Sequence, residues 1–261
     1  MCLQSLIKVY DLGFGYTDKR LFSGLSFEIF EGEFFCMAGA NGAGKSTLLK
    51  LLAGILKPQA GKIIFKGRAI NSIPIKQLAK MRAVVDQNPV FEFISVEDFV
   101  ALGRIAYFKP FQIFQTDEDK RAVKEALSLC NIQRVAQKRM DEISGGERQL
   151  AFIARAIVQN SGVLFLDEPF SNLDIANTIE ILLLLKKLNR NNNATIIAVL
   201  HDLNIALRVC DRVMLLKNGQ LKAVGKPGDI LKKDILNDVY GSDKITVTQT
   251  ENGELCVSFL I

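Results

Sequence analysis

The chain has 261 residues, 49% of them apolar and 23% charged, which is enough to bury a full core and too apolar for a disordered segment. Its 33 basic and 28 acidic side chains are interspersed, so the net charge of +5 reads as a solvated surface and does not by itself point to nucleic acid or a membrane. Cys2, Cys36, Cys130, Cys210 and Cys256 form no C-x-x-C pair or metal-ligand spacing, and the one histidine completes no cluster; they read as reduced thiols of a cytosolic protein. No apolar segment precedes Cys2 as a signal peptide would require. The most apolar run, Ile181 to Leu185, is far short of the roughly 20 residues of a membrane span, so any membrane association is expected to pass through another chain.

The first 33 residues alternate, as in Ile7-Lys8-Val9-Tyr10 and Ser26-Phe27-Glu28-Ile29, with a turn at Glu31-Gly32, and predict an antiparallel β flank. The run Phe34 to Ala38 is continuously apolar, like a strand buried on both faces of a parallel sheet. It leads into Gly39-Ala40-Asn41-Gly42-Ala43-Gly44-Lys45-Ser46-Thr47 and a helix from Lys45 to Ile55. That segment fits G-x-x-x-x-G-K-[ST] in its strand-then-helix setting. Its glycines let backbone N–H groups turn inward, Lys45 reaches the β- and γ-phosphates of a nucleotide, and Ser46 ligates Mg2+. The bland alternative is a glycine-rich turn that only starts a helix.

Residues from about 88 to 158 lack a strong strand and predict a helical subdomain. Thr116 before Asp117-Glu118-Asp119 opens one of its helices with a capping box. Another helix, Gly146 to Val158, carries Leu150, Ile153, Ala154 and Ile157 as one apolar stripe. Ile143-Ser144-Gly145-Gly146-Glu147 precedes it; a capping box explains Ser144 and Glu147 but not the consecutive glycines, which would admit a phosphate or another backbone.

The buried strand Val163 to Leu166 ends in Asp167-Glu168. Ligands sit at such strand ends in open α/β sheets, where Asp167 suits Mg2+ through water and Glu168 suits a general base for the attacking water; a plain loop pair is the alternative. A helix from Ile175 to Leu188, a strand from Thr195 to Leu200 and a helix from Asp202 to Cys210 follow, with His201 at the strand end. Asn252-Gly253 between two β-rich runs marks a hairpin in the tail, Ile245 to Ile261. The class is α/β, with a mostly parallel sheet. The expected organisation is a core of about 1–87 and 159–230, a helical subdomain of about 88–158 and a C-terminal β extension of about 240–261.

Taken together in this order, the motifs resemble the ABC ATPase family, whose L-S-G-G-Q signature is matched with Ile143 for Leu and Glu147 for Gln. The resemblance covers nearly the whole chain and implies a P-loop NTPase (RecA-like) core. It further implies that Ser144, Gly145, Gly146 and Glu147 of one copy clamp the γ-phosphate held by the phosphate loop of another, in a head-to-tail, ATP-dependent dimer. Tyr16 matches the aromatic that stacks on adenine, Gln87 the Q-loop residue that senses Mg2+ and the permease, and Asp174 of Ser171-Asn172-Leu173-Asp174 the D-loop. His201 matches the switch histidine at the γ-phosphate; a structural role is the alternative for a lone histidine.

Within the family, Ser95 to Arg104, Leu173 to Asn177, His201-Asp202-Leu203-Asn204 and Asp238-Val239-Tyr240-Gly241 look like the importer ATPases for iron(III)-siderophores, haem and cobalamin. Ala106 departs from that subgroup's usual proline and Phe170 from its usual threonine. The resemblance implies ATP and Mg2+, transmembrane permease subunits, indirectly a substrate-binding protein, no nucleic acid, and a peripheral place on the cytoplasmic face of the cell membrane. An exporter subunit, a soluble ABC ATPase acting on nucleic acid or ribosomes, and a non-hydrolysing regulatory binder are the rival readings; Glu168 and His201 speak against the last.

Overall fold

Alternation at the N-terminus becomes a twisted pair of strands in the computed structural model, which describes residues 4–17, 19–86 and 93–260. Strand β1 (Ser5–Tyr16) runs antiparallel to β2 (Lys19–Phe30), with Ile7 opposite Ile29 and Val9 opposite Phe27. Those four side chains are buried, while Lys8 and Glu28 between them face the other way and pair at 3.8 Å. The next strand, β3 (Phe34–Gly39), is buried at every position and feeds helix α1 (Lys45–Leu52). β4 (Ala60–Phe65) and β5 (Arg68–Ala69) complete a four-stranded sheet of order β2-β1-β4-β5.

Helix α1 stops at Leu52, short of the Ile55 expected from its apolar pattern. Ile55 N–H donates to Lys50 O at 2.9 Å and Gly54 N–H to Leu51 O at 3.0 Å, the double bond of a Schellman close with glycine just past the end.

Residues 74–194 form one of two compact units of the chain. It contains α2 (Ile75–Met81), β6 (Ala83–Val85), α3 (Val96–Ala101), α4 (Asp117–Leu129), α5 (Gly145–Val158), β7 (Val163–Asp167) and α6 (Ile175–Asn192). β6 and β7 are parallel. Thr116 and Asp119 form the expected capping box on α4, and Asp119 also takes Arg104 Nε at 2.7 Å in a buried ion pair. Of the expected stripe on α5, Leu150, Ile153 and Ala154 are buried and Ile157 is half-buried; Ala151, Phe152, Ala156 and Val158 are covered too, and Phe152 packs edge-on against Phe99 of α3 with ring centres 5.2 Å apart. α6 runs beyond Leu188 because Asn189 is buried, donating to Ala194 O at 2.9 Å, and the turn to the left-handed region waits until Asn193.

Residues 1–73 and 195–261 form the other unit. Its second segment holds β8 (Thr195–Val199), α7 (Leu203–Val209), β9 (Arg212–Lys217), β10 (Gln220–Gly225), α8 (Pro227–Ile230), α9 (Lys233–Tyr240), β11 (Ile245–Gln249) and β12 (Leu255–Phe259). β3 lies between β8 and β9 and is parallel to both, and β10 returns antiparallel on β9. Covered on both faces, β3 and β8 have no polar alternation to show, which is why they read as unbroken apolar runs. β11 and β12 pair around Asn252-Gly253 as the tail pattern predicts.

Candidate nucleotide site

The phosphate loop lies in the unit of residues 1–73 and 195–261, between the C-terminal end of β3 and the start of α1. Ala43 N–H closes the loop on Ala40 O at 3.2 Å, while Asn41 and Gly42 at its tip are exposed. Gly44 caps α1 with a left-handed backbone, φ 96°, and as glycine it offers the helix start no side-chain cap. A side chain there would also meet the Phe22 ring at 2.7 Å, so the position is restricted to glycine twice over. Lys45 is buried, 5% exposed, with its ammonium on Gly39 O at 2.9 Å and Ala40 O at 3.0 Å. The cation is therefore held against the loop it would serve, at a helix N-terminus that already favours anions. Ser46 and Thr47 follow in the first helical turn, both half-buried.

Tyr16 ends β1 beside that turn, its hydroxyl 3.4 Å from Thr47 Oγ1 and its ring edge-on to Phe14 at 5.1 Å. Just over half of it is exposed, which leaves an aromatic face for a base. His201, in the same unit, is exposed and lies two residues past the end of β8, where Leu200 N–H ties the chain to Met37 O of β3 at 3.1 Å.

The unit of residues 74–194 carries the carboxylates. Asp167 closes β7 and is buried, 4% exposed. Glu168 is half-buried in a left-handed turn, φ 51°, and its carbonyl accepts from Ser171 N–H at 3.1 Å and Ser171 Oγ at 3.0 Å. Three residues on, Asp174 caps α6, accepting from Asn177 N–H at 2.7 Å and Asn177 Nδ2 at 3.0 Å. Gln87 lies outside the described residues.

Both parts of the capping box on α5 are present: Ser144 Oγ accepts from Glu147 N–H at 3.2 Å, and Glu147 Oε2 accepts from Ser144 N–H at 3.0 Å. Those bonds, with Arg134 Nη2 at 3.1 Å, hold the Glu147 carboxyl below the usual carboxylate range, the Ser144 N–H contributing most. The two glycines then separate. A side chain at Gly146 would run into the Asn177 amide and displace it from its place against Asp174; one at Gly145 would meet no described residue, at an ordinary helical backbone. Asn177's part in this was not legible in the sequence beyond its place three residues after the cap of α6.

Among the described residues no group of three or more His, Cys, Asp and Glu side chains could hold a metal. A magnesium ion needs no such group, since it takes one or two protein oxygens plus phosphate oxygens and water. The Ser46 hydroxyl and the Asp167 carboxylate are oxygen donors of that kind. Likewise, no helix among the described residues is long and apolar enough to cross a membrane.

Residues 22–171 match the model of the ABC transporter family. The chain belongs to that family, and its α/β cassette is an ABC ATPase. The iron(3+)-hydroxamate import ATP-binding protein FhuC of Bacillus subtilis is 35% identical over 250 residues, 95% of this chain and 93% of that protein. The petrobactin import ATP-binding protein FpuD of Bacillus anthracis is 35% identical over 239 residues, 91% and 87% of the two chains. Among solved structures, a transporter assigned to the metal-chelate type, in an inward-facing conformation, superposes with a TM-score of 0.84 at 28% identity over 99% of this chain and 98% of that one. A dimeric ATP-binding cassette holding ADP and Pi superposes with a TM-score of 0.74 at 26% identity, over 85% of this chain and 98% of that one.

Proposed function

We propose that the chain powers an importer of metal chelates, of the iron-siderophore, haem or cobalamin class, by hydrolysing Mg-ATP on the cytoplasmic face of the membrane. The observation that carries this is likeness along almost the whole chain to proteins named for iron(3+)-hydroxamate and petrobactin import. In this reading two copies close head to tail on two nucleotides. Tyr16 stacks on the adenine, and the loop Gly39-Ala40-Asn41-Gly42-Ala43-Gly44 with Lys45, Ser46 and Thr47 cradles the phosphates. Ser144, Gly145, Gly146 and Glu147, with Asp174, come to them from the other copy. Magnesium, when bound, neutralises phosphate charge, and Ser46, Gln87 and Asp167 would hold it.

Glu168 takes the proton of the attacking water and His201 orients that water at the γ-phosphate. Gly145 supports the shared site: glycine at an ordinary helical position costs stability, and no described residue occupies the space its missing side chain leaves.

The permease is proposed to dock on the unit of residues 74–194. There an open groove of about 560 Å3 is lined by Leu102, Ile105, Ile113 and Phe114 with Glu97 and Lys120, and Phe111 beside it is fully exposed. Apolar surface of this kind marks an interface. A binding protein loaded with the chelate would reach this chain only through the permease.

Replacing Glu168 with Gln tests the mechanism. The variant is expected to bind ATP, to accumulate as a dimer on gel filtration and to lose turnover by about 100-fold or more; unchanged steady-state hydrolysis would refute the role of Glu168. Co-purification with nucleic acid in place of a many-helix membrane protein would overturn the transporter reading.

A further inference from the structure

The C-terminal hairpin of β11 and β12 is a two-stranded sheet of its own. Two strands alone are marginal in water, so its place depends on what it touches. Thr250 N–H donates to Glu254 O at 2.8 Å and Leu260 N–H to Lys244 O at 2.9 Å. These bonds make Thr248–Cys256 and Thr246–Ser258 the hydrogen-bonded pairs of the ladder and leave Val247–Val257 a non-hydrogen-bonded one. The N–H and C=O of Val257 therefore point away from β11. One side chain takes both: Asn204 Nδ2 donates to Val257 O at 3.0 Å, and Val257 N–H donates to Asn204 Oδ1 at 2.8 Å. The amide sits on the hairpin edge as a further strand residue would.

Asn204 is the second residue of α7, which at seven residues is too short to be stable by itself. Asp202 caps that helix, accepting from Asn204 N–H at 2.8 Å and Ile205 N–H at 3.3 Å. His201 is the residue before the cap. The segment His201–Asn204 is thus held at one end by β8 and at the other by the hairpin edge. We infer that the C-terminal hairpin, through Asn204, is a positioning element for His201 in ATP hydrolysis. The inference rests on the role proposed above for His201. The competing account is that Asn204 only shields a strand edge.

The test uses the purified full-length chain and steady-state ATP hydrolysis, with thermal unfolding run in parallel. Asn204→Ala removes both bonds; Val257→Pro removes the N–H from the hairpin side, at a position where β11 does not use it. Both are expected to lower kcat about tenfold while KM for ATP stays within about twofold. Asn204→Asp, which keeps the acceptor for Val257 N–H, is expected to recover part of the rate. Neither loss should recur when His201 is already alanine, because residues acting through one another do not add. Parental kcat in both variants overturns the inference, as does the same fold-loss in the His201→Ala background, which would leave the hairpin a stabiliser of the fold. Unchanged kcat in His201→Ala alone would instead overturn the histidine's role, and this inference with it.

Discussion

The N-termini of α1 and α5 both carry glycine, and they are finished in opposite ways. The start of α1 has Gly44, which has no side chain to cap with, in a left-handed conformation, whereas the start of α5 is capped by Ser144 and Glu147 of the chain itself. Orphan N–H groups at a helix start are satisfied by side chains, water or ligands. A glycine cap at the first terminus suits the anion-binding role proposed for it above. At the second, Ser144 already satisfies the Glu147 N–H, and what distinguishes it is the space beside Gly145 that no described residue fills. In the proposed function, glycine at a helix start serves ligand binding in one place and close approach by a second molecule in the other.

The largest effect should come from breaking the first terminus. Lys45→Ala removes the cation and leaves the carbonyls of Gly39 and Ala40 without its bonds. Binding of a fluorescent ATP analogue is expected to weaken by about 100-fold, in line with charge-assisted bonds worth about 1.5–3 kcal/mol. Retained affinity would remove Lys45 from the site.

Alanine at the two glycines should then separate them. Gly44→Ala forces a side chain into Phe22 at φ 96° and is expected to lower stability by about 1–3 kcal/mol in denaturant unfolding. Gly145→Ala should leave stability unchanged or raise it by up to about 0.5–1 kcal/mol while slowing hydrolysis. A Gly145→Ala chain that hydrolyses ATP at the parental rate would sink the idea that another chain approaches there.

The smallest effect concerns pH. With its folded pKa depressed, Glu147 stabilises the box fully above its unfolded value, and that contribution is lost as pH falls through the folded one. Glu147→Gln should therefore cost up to about 1 kcal/mol near neutral pH, a figure kept low by solvent screening, and nothing in strong acid. Urea unfolding of the two proteins at both pH values is the measurement; a gap independent of pH would show that the charge is not what matters.

Legibility followed locality. The buried strands, the phosphate loop, both capping boxes and the tail hairpin depend on neighbours within a few residues, and Thr116, Ser144 and Gly44 stand in the chain where the structure uses them. Helix ends were less legible: α6 runs on because Asn189 is buried, which nothing in its polar neighbourhood announces. The roles of Asn177 against Gly146 and of Phe22 against Gly44 were hidden for the same reason, since partners 31 and 22 positions apart meet only after folding.

What the sequence determined by itself is the α/β class and the chemistry at hand, because apolar period, glycine spacing and residue type are properties of short segments. What only tertiary structure decided is which of those groups are already occupied. Ser144 and Glu147 satisfy each other, the Asn177 amide lies against Gly146, no described residue fills the space beside Gly145, and Asn204 is bound to a strand 53 residues away. Occupancy depends on distances between remote segments, which the order of residues does not contain.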